Sequence, residues 1–325
     1  MAQADPTIPF YDASRVRALL DYDGCIAAVR AAMRDFTAGG TEQPLRTIIP
    51  IAPGELFALM PGMLESPHGF GAKVITAYGD PDRPGRSAHR GVVVLFDRAD
   101  GRIVCIADAG EITHIRTAAA SAVATEALAR PDACRLAMFG CGAQGWTHVQ
   151  AIARVRALKE IIIWARDEDA AHAFAARVET ATGIPARAAP DGRTAAGGAD
   201  IICTVTASQT PVLLGDWVRP GTHVNIVGSS HAGPVEIDHD LVLRSRFIAD
   251  SRRSVLAAGA EFLNAKAAGL IDDGHIVAEI GEVLLRQVPG RCSEQDITVY
   301  KSLGHVVQDL AAAAYVHQTE KSIRY

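Results

Sequence analysis

The chain has little cysteine and no marked excess of either charge. Its six cysteines are scattered singly, with no CxxC pair and no zinc-like spacing. Lys and Arg total 32 against 37 Asp and Glu, a net charge of -5, so the footprint of a nucleic-acid-binding protein is absent. No apolar run reaches the ~18 residues of a transmembrane helix, and the first residues do not resemble a secretory signal. We therefore expect a cytoplasmic protein that binds neither nucleic acid nor membrane.

The 325 residues are 49% hydrophobic, which is enough for two globular domains. Residues 22–36 carry apolar side chains at helical spacing, and an Ala-rich helix is predicted over 111–129. Between these helices, short β-branched stretches separated by turn residues predict a mostly antiparallel meander. The predicted strands are Thr47–Ile51, Leu56–Met60, Lys73–Ala77, Gly91–Phe96 and Arg102–Ala107.

From residue 134 onward, short apolar strands alternate with helices, a pattern typical of a doubly wound parallel sheet. A last helix, predicted over 302–317, is expected to pack on the first domain. The fold class is therefore α/β, with a Rossmann domain over 119–301 and an α+β domain over 1–118 with 302–325. The predicted strands are Cys134–Phe139, Glu160–Trp164, Asp200–Thr204, His223–Val227 and Arg246–Ala249, with helices at 144–155, 169–182 and 252–268.

A glycine-rich turn follows the first of these strands. The segment reads GCGAQG, a full GxGxxG between a predicted strand and a predicted helix. In that setting the glycines make the tight turn and admit a pyrophosphate to the helix N-terminus. The sequence therefore predicts a dinucleotide cofactor, bound by Gly140, Gly142, Ala143, Gln144 and Gly145.

The end of the second strand indicates which dinucleotide binds. NAD-binding sites place Asp or Glu there to hold the ribose hydroxyls, whereas a 2'-phosphate needs Arg. Here that position is Ala165, and Arg166 follows it. We expect NADP to be preferred, with NAD as the alternative if Asp167 turns to the ribose instead of capping the next helix.

Three basic residues lie in apolar surroundings of the first domain: Arg46, Lys73 and Arg116. A charge in such a place is costly to bury unless something pairs with it. A substrate carboxylate is one such partner, and an ordinary salt bridge is another. We therefore treat all three as candidate substrate-binding residues.

The chain resembles the ornithine cyclodeaminase/mu-crystallin family. The motifs that carry the resemblance occur in the family's order and span most of the chain. They are QPLRTIIP (43–50), GAKV (71–74), THIRTAAASAVAT (113–125), GCGAQG (140–145), ADSR (249–252), EIGEV (279–283) and YKSLGHVVQD (300–309).

The resemblance implies a homodimer in which an N-terminal substrate and dimerisation domain is completed by the C-terminal helix. It places Arg46, Lys73 and Arg116 around the carboxylate and reacting nitrogen of an amino or imino acid. His89 and Thr117 lie in matching segments and are expected to line the cleft. The remaining cofactor residues that we expect from the resemblance are Thr204, Val227, Gly228 and Lys301.

Members of the family either oxidise an amino acid or reduce a ketimine. Cyclodeaminases resemble one another in a general-base aspartate after the fourth strand, and this chain has Ser230 at that position. The departure favours NAD(P)H-dependent reduction of a cyclic ketimine carboxylate, with Lys73, Arg116 and Ser230 as candidate catalytic residues. Oxidation of ornithine or alanine with NAD, and a mu-crystallin-like binding protein with little turnover, are the alternatives.

Two further basic side chains are candidates for the substrate site. His231 follows Ser230 and is expected to relay protons or bind substrate. Arg90 stands where the family usually has Gln, and it either adds a charge near the substrate or faces solvent. The acidic residues at 236–240 are interpreted as the start of a helix, so no metal is expected.

Overall fold

The computed structural model describes residues 7–39, 43–79, 87–230 and 233–324. It divides into two compact units, residues 1–116 with 306–325 and residues 117–305. The divisions fall after Arg116 and after His305, whereas the predicted boundaries follow residues 118 and 301. Among the described residues, no helix has the length and apolar character needed to cross a bilayer.

The order of helices and strands is broadly the predicted one, with a run of strands up to residue 108 and strands alternating with helices from residue 135 onward. The elements up to residue 128 are β1 (Phe10–Tyr11), α1 (Ala13–Leu19), α2 (Tyr22–Gly39), β2 (Thr47–Ala52), β3 (Glu55–Leu64), β4 (Gly69–Gly79), β5 (Ser87–Asp97), β6 (Ile103–Asp108) and α3 (Ala109–Leu128). The elements after residue 128 are β7 (Arg135–Phe139), α4 (Ala143–Val155), β8 (Glu160–Trp164), α5 (Glu168–Thr182), β9 (Ala186–Ala188), α6 (Gly192–Gly197), β10 (Ile201–Thr204), β11 (His223–Ile226), α7 (His239–Arg244), β12 (Ser245–Ala249), α8 (Arg252–Ala258), α9 (Ala260–Ala267), β13 (Ile276–Glu279), α10 (Ile280–Leu284), β14 (Ile297–Lys301) and α11 (Val306–Arg324).

The first unit contains a six-stranded sheet in the order β1-β6-β5-β4-β3-β2. Strands β2 to β6 form the predicted antiparallel meander, and β1 adds to β6 in parallel. Met60, Lys73 and Val93 stand opposite one another on β3, β4 and β5, and all three are buried. Helix α11 packs against these strands and against α2, so the last residues of the chain close this core.

The second unit contains eight parallel strands in the order β13-β12-β14-β11-β10-β7-β8-β9. The chain leaves β7 towards β8 and β9, then returns on the other side of β7 at β10. Ligands of such sheets bind outside the carboxyl ends of the strands at this reversal. Ile161, Ile162 and Ile163 are fully buried, as expected when helices cover both faces of a parallel sheet.

The fold class is confirmed as α/β with a Rossmann-type unit. The short elements β1, α1, β9, α6, β13 and α10 were not predicted, and three larger details differ from prediction. The predicted helix over 252–268 is two helices, α8 and α9, which meet at Gly259. Strand β14 was not predicted, although it lies between β11 and β12. Helix α11 begins at Val306 rather than at 302, because Leu303 and Gly304 donate their backbone N–H groups to Asp250 and Gly304 has φ +82°.

Candidate functional site

In the first unit, Lys73 reaches from β4 to two polar partners. It is 3% exposed, and its Nζ donates to the Thr113 hydroxyl at 2.7 Å and to Asp309 Oδ1 at 3.2 Å. An ammonium has three N–H bonds. Among the described residues only these two acceptors are in reach, which leaves one N–H of Lys73 for a ligand.

Arg116 joins the same group from helix α3. Its Nε donates to Asp309 Oδ1 at 2.8 Å, and its Nη1 donates to Gln308 Oε1 at 2.9 Å. Within the described part of the chain, Nη2 has no acceptor. The guanidinium is therefore held at Nε and Nη1, and the N–H groups of Nη2 remain to bind a carboxylate.

Asp309 was missed by the sequence analysis, although it lies in the quoted segment 300–309. It is fully buried in α11 and accepts from both Lys73 and Arg116 through Oδ1. A signal was present, because Asp309 is the one acidic residue within the mainly Ala, Val and Leu stretch 306–316. The argument that selects buried cations applies equally to a carboxylate in apolar surroundings.

Arg46 precedes β2 and lies in the same row of cross-strand neighbours as Lys73. Thr47 pairs with Leu59, so one further step of the register places Arg46 beside Met60, which in turn stands opposite Lys73. Arg46 is half-buried, and its charge contributes to lowering the pKa of Lys73. The structure thus brings Arg46, Lys73 and Arg116 together.

Burial and neighbouring charges set the protonation of this basic cluster, which we define as Arg46, Lys73, Arg116 and Asp309. Burial lowers the pKa of Lys73 to about 8; Asp309 opposes this shift, and Arg116 and Arg46 reinforce it. Burial alone would raise the pKa of Asp309, but Arg116 and Lys73 outweigh it and hold that pKa below its usual range. The cluster therefore carries three cations against one carboxylate, an arrangement that favours an anionic ligand.

In the second unit, the GxGxxG turn has the geometry that a pyrophosphate requires. Gly140 has φ +116°, and a Cβ on Gly145 would lie 2.5 Å from the Gly140 carbonyl oxygen. A Cβ on Gly142 would meet nothing within 4 Å, and no side chain caps helix α4, which begins at Ala143. Gln144 lies in the first turn of that helix. Open space above an uncapped helix N-terminus fits the predicted dinucleotide.

At the end of β8 lies an exposed arginine, and the carboxylate that follows it is already engaged in a helix cap. Ala165 is half-buried, and Arg166 is exposed with no hydrogen bond or ion pair to any described residue. Asp167 caps α5 by accepting from the Ala170 backbone N–H at 3.0 Å. The capping role considered for Asp167 is thus the observed one.

A buried carboxylate, Glu236, ties together the carboxyl ends of β10 and β11. It accepts from the Thr204 hydroxyl at 2.8 Å, from the Thr206 backbone at 2.6 Å and hydroxyl at 2.7 Å, and from the Gly228 backbone at 2.7 Å. Burial raises its pKa, although the hydrogen bonds from Thr206 and Thr204 and the charge of Lys301 oppose the shift. The sequence analysis interpreted Glu236 as a helix start; instead α7 begins at His239 with Asp238 as its cap.

Lys301, predicted to contact the cofactor, is engaged by residues of the second unit. It is fully buried at the end of β14, where Nζ lies 2.6 Å from both the carbonyl and the hydroxyl oxygen of Ser229 and 2.7 Å from Glu261 Oε2. The ammonium is therefore held by two hydrogen bonds to Ser229 and by an ion pair with Glu261. Lys301 therefore braces Ser229, whose hydroxyl also donates to Glu261.

The other predicted site residues are placed as follows. Ser230 is half-buried directly after Ser229, Val227 is buried beyond β11, and Thr117 is buried one residue after Arg116 in α3. His231 lies outside the described residues, as does the side chain of His89, whose backbone pairs with Ala77. Arg90 is exposed and pairs with Thr76, on the sheet face opposite to Lys73, so the structure does not bring it to the basic cluster.

Known proteins resemble this chain along almost its whole length. The model of the ornithine cyclodeaminase/mu-crystallin family matches residues 9–323. Ketimine reductase mu-crystallin from Mus musculus is 33% identical over 301 residues, covering 91% of this chain and 92% of that protein. The structure of Thermococcus litoralis Delta(1)-pyrroline-2-carboxylate reductase in complex with NADH and L-proline has a TM-score of 0.92 at 29% identity over 98% of both chains. An archaeal alanine dehydrogenase dimer with bound NAD has a TM-score of 0.91 at 27% identity, over 98% of this chain and 97% of that one.

Proposed function

Because the chain belongs to the ornithine cyclodeaminase/mu-crystallin family, we propose that it reduces a cyclic ketimine carboxylate to the L-amino acid with NAD(P)H. 1-Pyrroline-2-carboxylate and 1-piperideine-2-carboxylate are the substrates that we put forward. The observation that carries this proposal is the basic cluster. Its excess of basic side chains and the unused donors of Arg116 and Lys73 suit a carboxylate beside a nitrogen that must gain a proton.

The roles of the cluster residues follow from their donors. Arg46 and the Nη2 group of Arg116 hold the carboxylate and thereby fix the orientation of the imine carbon. Lys73 holds a proton on Nζ close to neutral pH, because its pKa is about 8, and it delivers that proton to the substrate nitrogen. The nicotinamide, when bound, supplies the hydride. Ser230 cannot act as a base at neutral pH, which supports reduction over cyclodeamination.

NADP is the cofactor that we propose, with NAD as the weaker alternative. Gly140, Gly142, Ala143, Gln144 and Gly145 would hold the pyrophosphate at the N-terminus of α4. The proposal for the 2'-phosphate rests on the exposed Arg166, since Ala165 offers no carboxylate and Asp167 is engaged in capping α5. Thr204, Val227 and Gly228 surround the strand ends where the rest of the cofactor would lie.

A homodimer is the assembly that we propose, with a second copy covering the outer face of the six-stranded sheet. This outer face is the side opposite to Lys73, and most of its side chains are apolar but only half-buried or exposed, although Thr76 and Arg90 also lie on it. Its apolar members are Ile49, Phe57, Leu59, Met63, Phe70, Val74, Val92, Val94 and Phe96. All six residues of the edge strand β2 are exposed as well. The archaeal relative is described as a dimer.

The six unpaired cysteines suit a reducing compartment, so we place the protein in the cytoplasm.

The test is consumption of reduced nicotinamide by the purified protein. We expect 1-pyrroline-2-carboxylate to oxidise NADPH, and NADH more weakly, while ornithine with NAD releases no ammonia. Ammonia release from ornithine without imine reduction would instead establish cyclodeamination. Tight nicotinamide binding without turnover on either substrate would favour a binding protein.

A further inference from the structure

The proposed substrate contacts depend on one carboxylate that the proposed reaction does not itself require. Asp309 is fully buried, and its Oδ1 is shared by Lys73 Nζ at 3.2 Å and Arg116 Nε at 2.8 Å. Its second oxygen, Oδ2, is buried with no hydrogen-bond partner among the described residues. An unsatisfied buried oxygen is costly. Asp309 pairs with two buried cations, and it does so while leaving one of its own oxygens unsatisfied.

The neighbouring side chain completes the grip on Arg116. Gln308 accepts from Nη1 at 2.9 Å, and its own Nε2 donates to Met33 Sδ at 3.5 Å. Two consecutive residues of α11 therefore fix the guanidinium plane through Nε and Nη1. The Nη2 edge is the part left for a ligand, so the C-terminal helix determines the direction in which Arg116 binds.

The same carboxylate acts on the charge of Lys73. Asp309 faces Lys73 from α11, while Arg116 faces it from α3 and Arg46 from the approach to β2. Burial and the two arginines favour the neutral amine, whereas Asp309 favours the ammonium. The Thr113 hydroxyl at 2.7 Å is the uncharged partner. Asp309 is thus the negative group that keeps a proton on Lys73.

We propose that Asp309 is a positioning residue for imine reduction, which orients Lys73 and Arg116 and retains the proton on Lys73 until the substrate nitrogen takes it. The inference rests on the proposed function. In the balanced step, the reduced nicotinamide would supply the hydride and be oxidised, the hydride forms a bond to the imine carbon, and the C=N π pair moves to nitrogen. That nitrogen gains the proton released by Lys73 Nζ, and water then restores the proton to Lys73.

The first test is the pH profile of kcat/KM, which reports the pKa values of the free enzyme, for the Asp309→Asn variant. The carboxamide keeps the shape and loses the charge, so the pKa of Lys73 should fall. We expect the basic limb of wild type, near pH 8, to move down by ~1 pH unit or more. At pH 8, kcat/KM should fall by about fivefold or more, while KM for the carboxylate substrate stays within about twofold because positive charge in the cluster increases. An unchanged limb would overturn the proposal.

Gln308→Glu tests the same idea with the opposite sign and does not depend on Asp309→Asn folding. A second carboxylate beside Arg116 should raise the limb and also raise KM. Asp21→Asn is the matched control, since Asp21 accepts from Tyr315 of α11 at 2.6 Å outside the basic cluster. We expect its profile to equal that of wild type.

A direct titration separates this inference from the proposed function. The chain has only five lysines, so carbon-13 labelling at lysine Cε gives few signals, and Lys73→Arg assigns the one that disappears. The Lys73 signal should titrate near pH 8 in wild type and lower in Asp309→Asn, whether or not the enzyme reduces imines. Equal midpoints would refute the role of Asp309. Absence of ketimine reduction by wild type would refute the proposed function alone.

Discussion

At the scale of single residues, buried charges are the strongest functional signal in this chain. Lys73 and Arg116 are recognisable in the sequence because apolar neighbours surround them, and the structure brings them together. Their partner Asp309 lies 236 and 193 residues further along the chain. That pairing could not be predicted, because it depends on the packing of α11 against the sheet rather than on any local pattern.

The cofactor preference also belongs to the residue scale. If Arg166 binds the 2'-phosphate, Arg166→Ala removes one or two charge-assisted hydrogen bonds, each worth about 1.5–3 kcal/mol. We expect KM for NADPH to rise on the order of 10- to 100-fold, with KM for NADH nearly unchanged. Steady-state kinetics with both cofactors measure this.

Arg187→Ala is the control for Arg166→Ala, because Arg187 is an exposed arginine of the neighbouring strand β9 and pairs with Glu160 at 2.7 Å. It should leave both KM values as in wild type. An equal loss of NADPH and NADH affinity in Arg166→Ala would show that Arg166 does not read the phosphate.

At the scale of elements, alternating strands and helices identify the Rossmann unit, and the GxGxxG turn locates its cofactor edge. The sequence does not reveal that β14 inserts between β11 and β12, since strand order depends on crossovers and not on hydrophobic pattern. Nor does it show that a buried carboxylate holds the strand ends, because Glu236 looks like an ordinary acidic residue before a helix.

Glu236 gives the prediction at this scale. Glu236→Ala leaves buried donors of Thr204, Thr206 and Gly228 without an acceptor, so the free energy of unfolding should drop by about 3–5 kcal/mol. Glu236→Gln should cost less, since one amide oxygen still accepts. Urea denaturation measures both changes, and we expect the dissociation constant for NADPH to rise in each variant.

Asp216→Ala is the matched control, because Asp216 is an exposed carboxylate paired with Arg193 at 2.7 Å. Its loss should cost about 0–1 kcal/mol. If Glu236→Ala were no more destabilising than Asp216→Ala, the bracing role of Glu236 would be refuted.

At the scale of the whole molecule, exposed apolar side chains on the outer face of the six-stranded sheet predict a homodimer. The alternation of the strands already places an apolar set on each face, but the sequence cannot say which face α11 covers. The structure answers this, since the Lys73 face is buried and the outer face keeps Ile49 at 48% and Phe70 at 38% exposure.

The prediction for assembly is a solution mass of twice the 34.4 kDa chain, measured by light scattering. Ile49→Glu places a charge on the outer face and should yield the monomer. Leu243→Glu alters an equally exposed leucine, at 43%, of α7 in the other unit and should remain dimeric. A wild-type monomer would contradict the proposed interface.

The most direct test of ketimine reduction follows the hydride itself. Purified protein is incubated with 1-pyrroline-2-carboxylate and NADPH carrying deuterium in the transferred position at C4, and the product is analysed by mass spectrometry and chiral chromatography. The account predicts L-proline with one deuterium on the α-carbon. Proline without deuterium would contradict it. So would the formation of neither proline from 1-pyrroline-2-carboxylate nor pipecolate from 1-piperideine-2-carboxylate.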